Sequence, residues 1–482
     1  MPRSYLLPHL FLAVLTGIFF WELIFGGKGW FDGAALTFYY PWKAYFGSYD
    51  FRDIMSQDSV RMFLPHQSYL VESLFNQGRF PLWNPLEFAG MPFFASGGKS
   101  IIRITSLTYA FLPFLSGLNL QTMVTCFLAG LWMYMFLASR LAVLPSLLGG
   151  LIYMFSGNFF RYSMHIMHLE DFMLFPLTLY VLERAVKKSS GVLYAFCALL
   201  WALMIYGGRE FTTPVAILIG VLFALYQMKL LPLERRDLRR QVLLLGGAGL
   251  LALGLSAIKI LPYVEWLLQY SERSEAASFL PAPYEAQVSL AWATGRQVAQ
   301  STLNLLFPIH PEARLAVRPY LASHMGLVPV LLVILGLRYY RQDVNGRFFT
   351  WLAVAGFVAV ALSDPAVVLL EGFLGRSGLL GMLKSQVNNS RLVSLLTPGV
   401  AIAAAFSTHH LLLCGRGRPD PSPSESPGWG TWRIAVPLSL FTIGPFLILL
   451  LSANLRRYYQ VTFIVAYAAV IGIVFLAYRR NV

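Results

Sequence analysis

Asp58 opens the phrase D-S-V-R-M-F-L-P, and Asp32 opens a similar one, D-G-A-A-L-T-F-Y-Y-P. A carboxylate in such a setting can take a proton from a hydroxyl or bind a metal. It can equally cap a helix that starts just after it and complement the helix dipole. Further on, RYSMHIMHLEDF sets His165 and His168 at i, i+3, with Glu170 and Asp171 directly behind. On a helix the two imidazoles share a face. With two acids beside them they have the residue types of a metal or acid/base site. The same four residues would also serve as a polar cap at a membrane boundary. The turn Tyr206-Gly207-Gly208-Arg209-Glu210 offers a guanidinium that could grip a phosphate, or an ordinary surface ion pair. Lys259, Glu265, Glu272 and Arg273 follow, then Asn388, Asn389 and Arg391. Arg391 also suits a snorkelling anchor.

These phrases are islands in an apolar chain. Of its 482 residues 57% are hydrophobic and 12% charged, against about 25% charged in soluble domains. Mean hydropathy is +0.61, which places the chain among multi-pass membrane proteins. The net charge of +14 is then explained by cytoplasmic loops rich in Lys and Arg beside anionic lipid, not by nucleic acid. Cys126, Cys197 and Cys414 lie in or beside apolar runs and have no disulfide or zinc spacing. Gly98-Lys99-Ser100 resembles the end of a phosphate-binding loop, but Phe93 stands where that loop needs glycine.

Apolar runs of spanning or near-spanning length fall at about 5–25, 120–138, 144–157, 172–186, 191–206, 212–228, 242–262, 324–338, 348–364, 392–413, 433–451 and 460–478. The first is too long for a signal-peptide core and reads as an uncleaved helix. The run 101–116 is ambiguous because it carries Arg103 and Pro113. The positive-inside rule resolves it. If 101–116 does not span and the N-terminus is cytoplasmic, then Arg140, 184–188, 233–240, 338–341, 416–418 and the basic tail all face the cytoplasm. The expected fold is therefore all-α: a polytopic bundle of about twelve transmembrane helices with both termini inside. Residues 101–116 form an interfacial or re-entrant piece of the first outer loop.

In this scheme residues 1–414 form a membrane core with outer loops 27–119, 263–323 and 365–391. A Pro/Ser/Gly-rich cytoplasmic linker occupies 415–431, and 432–482 is a terminal transmembrane hairpin. Within the first loop, Pro81-Leu82-Trp83-Asn84-Pro85 and Gly90-Met91-Pro92 specify turns, with Trp83 suited to the interface. Acids and histidines gather at outer helix ends instead of lining mid-membrane, where transporters place charge.

The order of phrases resembles the YfhO family of bacterial membrane proteins over roughly residues 27–413. The acid-to-proline phrase and G-x-x-P-L-W-N-P with G-x-P (Gly78 to Pro92) come first. YMFSGNF and F-P-L-x-L-x-x-x-E-R (Phe175 to Arg184) follow, then the Gly-Gly turn and L-P-x-x-E-x-x-x-x-x-S-x-R (Leu261 to Arg273). That family is similar to the lipid-linked-sugar glycosyltransferases of the GT-C fold. Arg209-Glu210 and Lys259 depart from the residues common at those places. The resemblance implies a polyprenyl-phosphate-sugar donor and an envelope glycan, lipid or protein acceptor, with transfer at the outer face of the cytoplasmic (inner) membrane. It implies Asp58 as catalytic base, with Asp32 second to it. His165, His168, Glu170 and Asp171 would be further acid/base groups or metal ligands. Arg209, Lys259, Arg273 and Arg391 would bind the donor phosphate, supported by Glu210 and Glu265. No cofactor is implied with certainty, and a divalent metal is an open requirement. Transport of a lipid-linked glycan and a non-catalytic role in envelope-polysaccharide assembly are the competing readings.

Overall fold

The computed structural model describes residues 6–31, 33–46, 59–96, 103–163, 169–208, 212–232, 234–270, 325–337, 346–359 and 389–414. These residues are mostly helical, and their strands are confined to β1 (Trp83–Asn84) and β2 (Met91–Pro92). The helices are α1 (Leu6–Phe19), α2 (Trp21–Phe25), α3 (Trp42–Phe46), α4 (Leu64–Val71), α5 (Phe114–Ala138), α6 (Val143–Met154), α7 (Gly157–Ser163), α8 (Glu170–Lys188), α9 (Gly191–Gly207), α10 (Thr212–Leu230), α11 (Arg235–Tyr270), α12 (Leu327–Gly336), α13 (Gly346–Ala359) and α14 (Asn389–Cys414). Among the described residues, four stretches are long and apolar enough to cross a bilayer: Phe114–Ala138, Val143–Phe160, Thr212–Leu230 and Arg235–Trp266. The expected spans at 433–451 and 460–478, the linker 415–431 and most of the outer loops 263–323 and 365–391 lie outside the described residues.

Helices α5 and α8 form the centre. Helix α5 packs on α1, α6 and α8, while α8 also meets α9 and α10. Helix α11 lies along α9, and α14 lies along α6 and α12. Helix α8 is buried on nearly every face, as an apolar helix with neighbours all round must be. Between helices in lipid there is no hydrophobic drive, so association relies on close contact through small residues. A Cβ at Gly150 would lie 2.9 Å from the Gly130 carbonyl oxygen, and one at Gly149 3.0 Å from Ala405 Cβ. Ala401 to Ala405 of α14 are all buried. Tyr153 of α6 stacks on Phe172 of α8 at 4.3 Å and donates its hydroxyl to the Phe172 carbonyl at 2.8 Å.

Three boundaries differ from expectation. The first run divides at Phe20, whose fully buried ring meets Phe19, Trp30 and Phe159 edge-on. The run 101–116 also divides. Ile104–Ala110 is a 3-10 turn, and Phe114 already belongs to α5. Pro113 takes the N-cap position of α5, where a missing N–H leaves no helical bond unmade. Helix α11 extends well past 242–262 at both ends.

The contacts sort the helix ends into two poles. At one, the heads of α8 and α10 and the tail of α9 meet the loop before α5. At the other, Arg140 beyond α5 pairs with Glu183 of α8 at 2.9 Å, and Lys187 pairs with Glu183 at 2.6 Å. There too the Tyr194 hydroxyl donates to Gln241 Oε1 at 3.0 Å, and Gln241 Nε2 donates to the Val186 carbonyl at 3.1 Å. The second pole carries the exposed Arg184, Lys187, Lys188, Arg235, Arg236, Arg239 and Arg240.

Candidate functional site

The first pole is built around a buried cation. Arg103, 5% exposed, donates from its guanidinium to Gln67 Oε1 on α4. Glu170, the first residue of α8 and 1% exposed, faces the same loop. Its two oxygens accept from the backbone N–H of Ile104 at 3.0 Å and the Thr105 hydroxyl at 3.1 Å. Arg103 and Glu170 also attract each other electrostatically. Burial pulls the Arg103 pKa below its ordinary value, while Tyr109 and Glu170 pull it back up. Guanidinium groups are not deprotonated in proteins, so the pole holds a permanent enclosed positive charge. The chain continues through Gln121 of α5. Its Nε2 donates to Thr105 Oγ1 at 3.1 Å, and its Oε1 accepts from the Tyr109 hydroxyl at 2.8 Å. Burial raises the Tyr109 pKa, opposed by Arg103, so Tyr109 stays a donor.

Asp171 anchors the other side. One oxygen accepts from the hydroxyls of Thr212 and Thr213 at the start of α10, the second at 3.4 Å. The other oxygen accepts from the Phe172 N–H at 2.8 Å. Gly207 and Gly208 end α9 directly beneath these acids. A Cβ on Gly207 would lie 2.8 Å from Glu170 Cβ and Cγ and 2.9 Å from Arg103 Cγ. The glycines therefore let α9 pass under the acid pair. Gly208 and Thr212, the described residues on either side of 209–211, both lie against Asp171 in the first turn of α8.

A small hairpin completes the pole. Trp83 pairs with Pro92 and Asn84 with Met91, so the PLWNP and GMP phrases form one antiparallel unit. It is docked on α4. His66 Nε2 lies 2.8 Å from Glu87 Oε1, Asn84 Nδ2 donates to Glu87 Oε2 at 3.2 Å, and the Tyr69 hydroxyl donates to the Trp83 carbonyl at 2.6 Å. Beyond β2, Lys259 of α11 donates to the Phe94 carbonyl at 2.9 Å, with its Nζ 5.3 Å above the Phe94 ring. The Tyr206 hydroxyl donates to the Leu255 carbonyl at 2.8 Å, tying α9 to α11 at the same level.

Of the residues singled out in the sequence, Glu170, Asp171 and Lys259 come to this pole. Glu170 and Asp171 are buried joints between segments, and Lys259 grips the first loop. Glu265 is exposed near the end of α11, and Arg391 lies in the first turn of α14. Asp32, Asp58, His165, His168, Arg209, Glu210 and Arg273 lie outside the described residues. Among the described residues, Ser59–Phe63 is helical. Among the described residues no three His, Cys, Asp or Glu side chains are grouped as a metal centre. Sequence reasoning missed the parts played by Arg103, Gln67, Thr105, Gln121 and the His66–Glu87 pair. For Arg103, Thr105 and Gln121 the available signal was a polar residue inside an apolar run; His66, Gln67 and Glu87 lie in the first outer loop, where no such contrast marks them.

Residues 92–290 match the family model for bacterial membrane protein YfhO. The YfhO match starts in β2 and takes in the Arg103 turn, α5 to α11 and the Gly207–Gly208 turn, which together make up most of the first pole. It is narrower than the 27–413 over which the phrases resemble that family. With its apolar helices, the YfhO match makes this a membrane protein. No curated protein matches the sequence.

Proposed function

We propose that the chain is an integral-membrane glycosyltransferase of GT-C type. It moves a sugar from a polyprenyl-phosphate donor to an envelope acceptor at the outer face of the inner membrane. About twelve spans, with both termini inside, carry the site. The supporting observation is the segregation of polar groups. Among the described residues, Asp, Glu, Lys and Arg keep to the ends of α5, α8, α9, α10 and α11 and leave the span interiors without a file of charge. A route through the membrane for a charged or polar cargo would need such a file. An enzyme acting on a donor whose phosphate sits at the interface needs its ionisable groups at one pole.

In this reading Asp58 removes the proton from an acceptor hydroxyl, with Asp32 second to it. The acceptor oxygen attacks the anomeric carbon as the bond to the phosphate oxygen breaks, inverting the configuration. The leaving lipid phosphate keeps the bonding electron pair, and Arg209, Lys259, Arg273 and Arg391 offset its charge. His165 and His168 assist as acid/base groups or as ligands of a divalent metal, and Glu210 and Glu265 support. Glu170 and Asp171 act through position: they fix the loop before α5 and the residues Gly208 and Thr212 that flank Arg209 and Glu210 in sequence.

The test incubates purified protein with a panel of polyprenyl-phosphate sugars and envelope acceptors and reads transfer by mass spectrometry. Asp58→Asn is expected to abolish product while the protein still inserts and melts like the parent. Full activity in that variant overturns the assignment of the base. Movement of a lipid-linked glycan across liposomes without any transfer replaces the enzyme reading with transport.

A further inference from the structure

The hairpin keeps large apolar side chains outside the fold. Leu86 is 82% exposed and Phe88 87%, and Leu82 and Trp83 are exposed as well. Nothing about the base of the hairpin is loose. Besides its bonds to α4, the Phe93 N–H donates to the Leu82 carbonyl at 2.8 Å, and the Phe93 ring packs edge-on against Tyr69. A rigid mount thus holds an apolar tip away from the protein.

The tip backbone sharpens the point. Phe88 and Ala89 take φ values of 51° and 59° before Gly90 at 116°. Left-handed φ is unfavourable for residues with a Cβ, and bulky ones adopt it least. Turns in water usually place Gly, Asn or Asp there. This tip instead spends that conformation on displaying a phenyl ring.

The level of the hairpin identifies what lies opposite. Lys259 ties Phe94, two residues past β2, to α11. On either side of Lys259 the apolar Ile258 and Leu261 are exposed, and they continue the exposed apolar stripe of a helix long enough to span. The hairpin is therefore mounted where the apolar belt of α11 approaches its outer end. We propose that this hairpin is a membrane wedge: Leu86 and Phe88 enter the acyl region of the outer leaflet, and Trp83 sits at headgroup level. The partner is phospholipid. Apolar side chains gain by leaving water, and an indole at the boundary satisfies its ring and its N–H at once. The wedge fixes the height of the first outer loop over the membrane, and it does not depend on glycosyl transfer.

The experiment uses the full chain with its three native cysteines replaced and single substitutions Leu86→Cys, Phe88→Cys or Leu82→Cys. Arg79→Cys, exposed on the same loop, is the control. Each is labelled with an environment-sensitive fluorophore and reconstituted into phosphatidylethanolamine/phosphatidylglycerol liposomes. Labels at 86 and 88 are expected to shift to the blue and to be quenched by lipid carrying a nitroxide high on its acyl chain. The label at 79 is expected to be quenched by aqueous iodide. Iodide quenching at 86 and 88 equal to that at 79 overturns the wedge. So does a label shielded from iodide yet untouched by the nitroxide lipid, which would mean that protein covers the tip. Melting of each variant in detergent identifies any that fails to fold, and Leu82→Cys then reports for the hairpin.

Discussion

Arg103 and Glu170 are opposite charges sealed from water, and this determines what their removal does. Taking away one partner strands the other in a low-dielectric interior, at a cost of about 3–5 kcal/mol. Arg103→Gln and Glu170→Gln are each expected to destabilise on that scale. Replacing both by apolar residues of similar size should cost clearly less than the sum, because the pair then disappears together. Denaturant titration in detergent measures all three, and strict additivity would contradict their electrostatic coupling. The sequence marked Glu170 and Asp171, but as acid/base groups, metal ligands or a polar cap at the membrane boundary. Arg103 stood out only as a charge that spoiled a span. Their partnership was not legible because the bond from the Ile104 N–H to Glu170 joins positions 66 apart, and no local spacing reports such a meeting.

Two glycines separate packing from propensity among the helices. Gly207→Ala places a methyl against Glu170 and Arg103 and is expected to cost about 1–3 kcal/mol, as overpacking does. Gly247→Ala, in mid-α11 with nothing within 4 Å of the added carbon, should be neutral or stabilising by up to about 1 kcal/mol, the helix-propensity difference. Thermal melts of the two variants check the contrast; similar losses at both would mean that another surface covers α11. The apolar runs revealed where the bundle helices lie, since hydrophobic length is what a bilayer selects. They could not give the ends of α11, because a window tuned to apolar residues stops at Arg240 on one side and short of Glu265 on the other, while the helix runs on through both. The hairpin was legible only as turns, for its pairing follows from register and not from composition.

At the scale of the whole molecule, the exposed basic groups of α8 and α11 stand opposite the buried acid network. In the proposed orientation, which follows the positive-inside rule, the Arg103 pole lies outside. Arg79→Cys is expected to react with a membrane-impermeant maleimide in intact cells, and Arg239→Cys only after permeabilisation. The reverse pattern would invert the proposed orientation and with it the outer-face reaction. Alternation of the poles was legible from charge placement in the loops. The tightness of the first pole was not, since it arises from glycines that matter only once three segments cross.

Helix α11 carries one more consequence. Between Arg240 and Lys259 lie eighteen uncharged residues, a length of about 27 Å at 1.5 Å per residue, close to the roughly 30 Å of a bilayer core. Lys259 also holds the Phe94 carbonyl, so the residue at the outer edge of this stretch is fastened to the first loop. A thicker or thinner bilayer changes the mismatch that α11 must absorb by tilting, and any tilt draws on that fastening. Acyl-chain length thereby becomes an input to the outer pole. Reconstitution in lipids of graded chain length should move the first loop in step, and a loop indifferent to thickness would show the lysine tie to be slack.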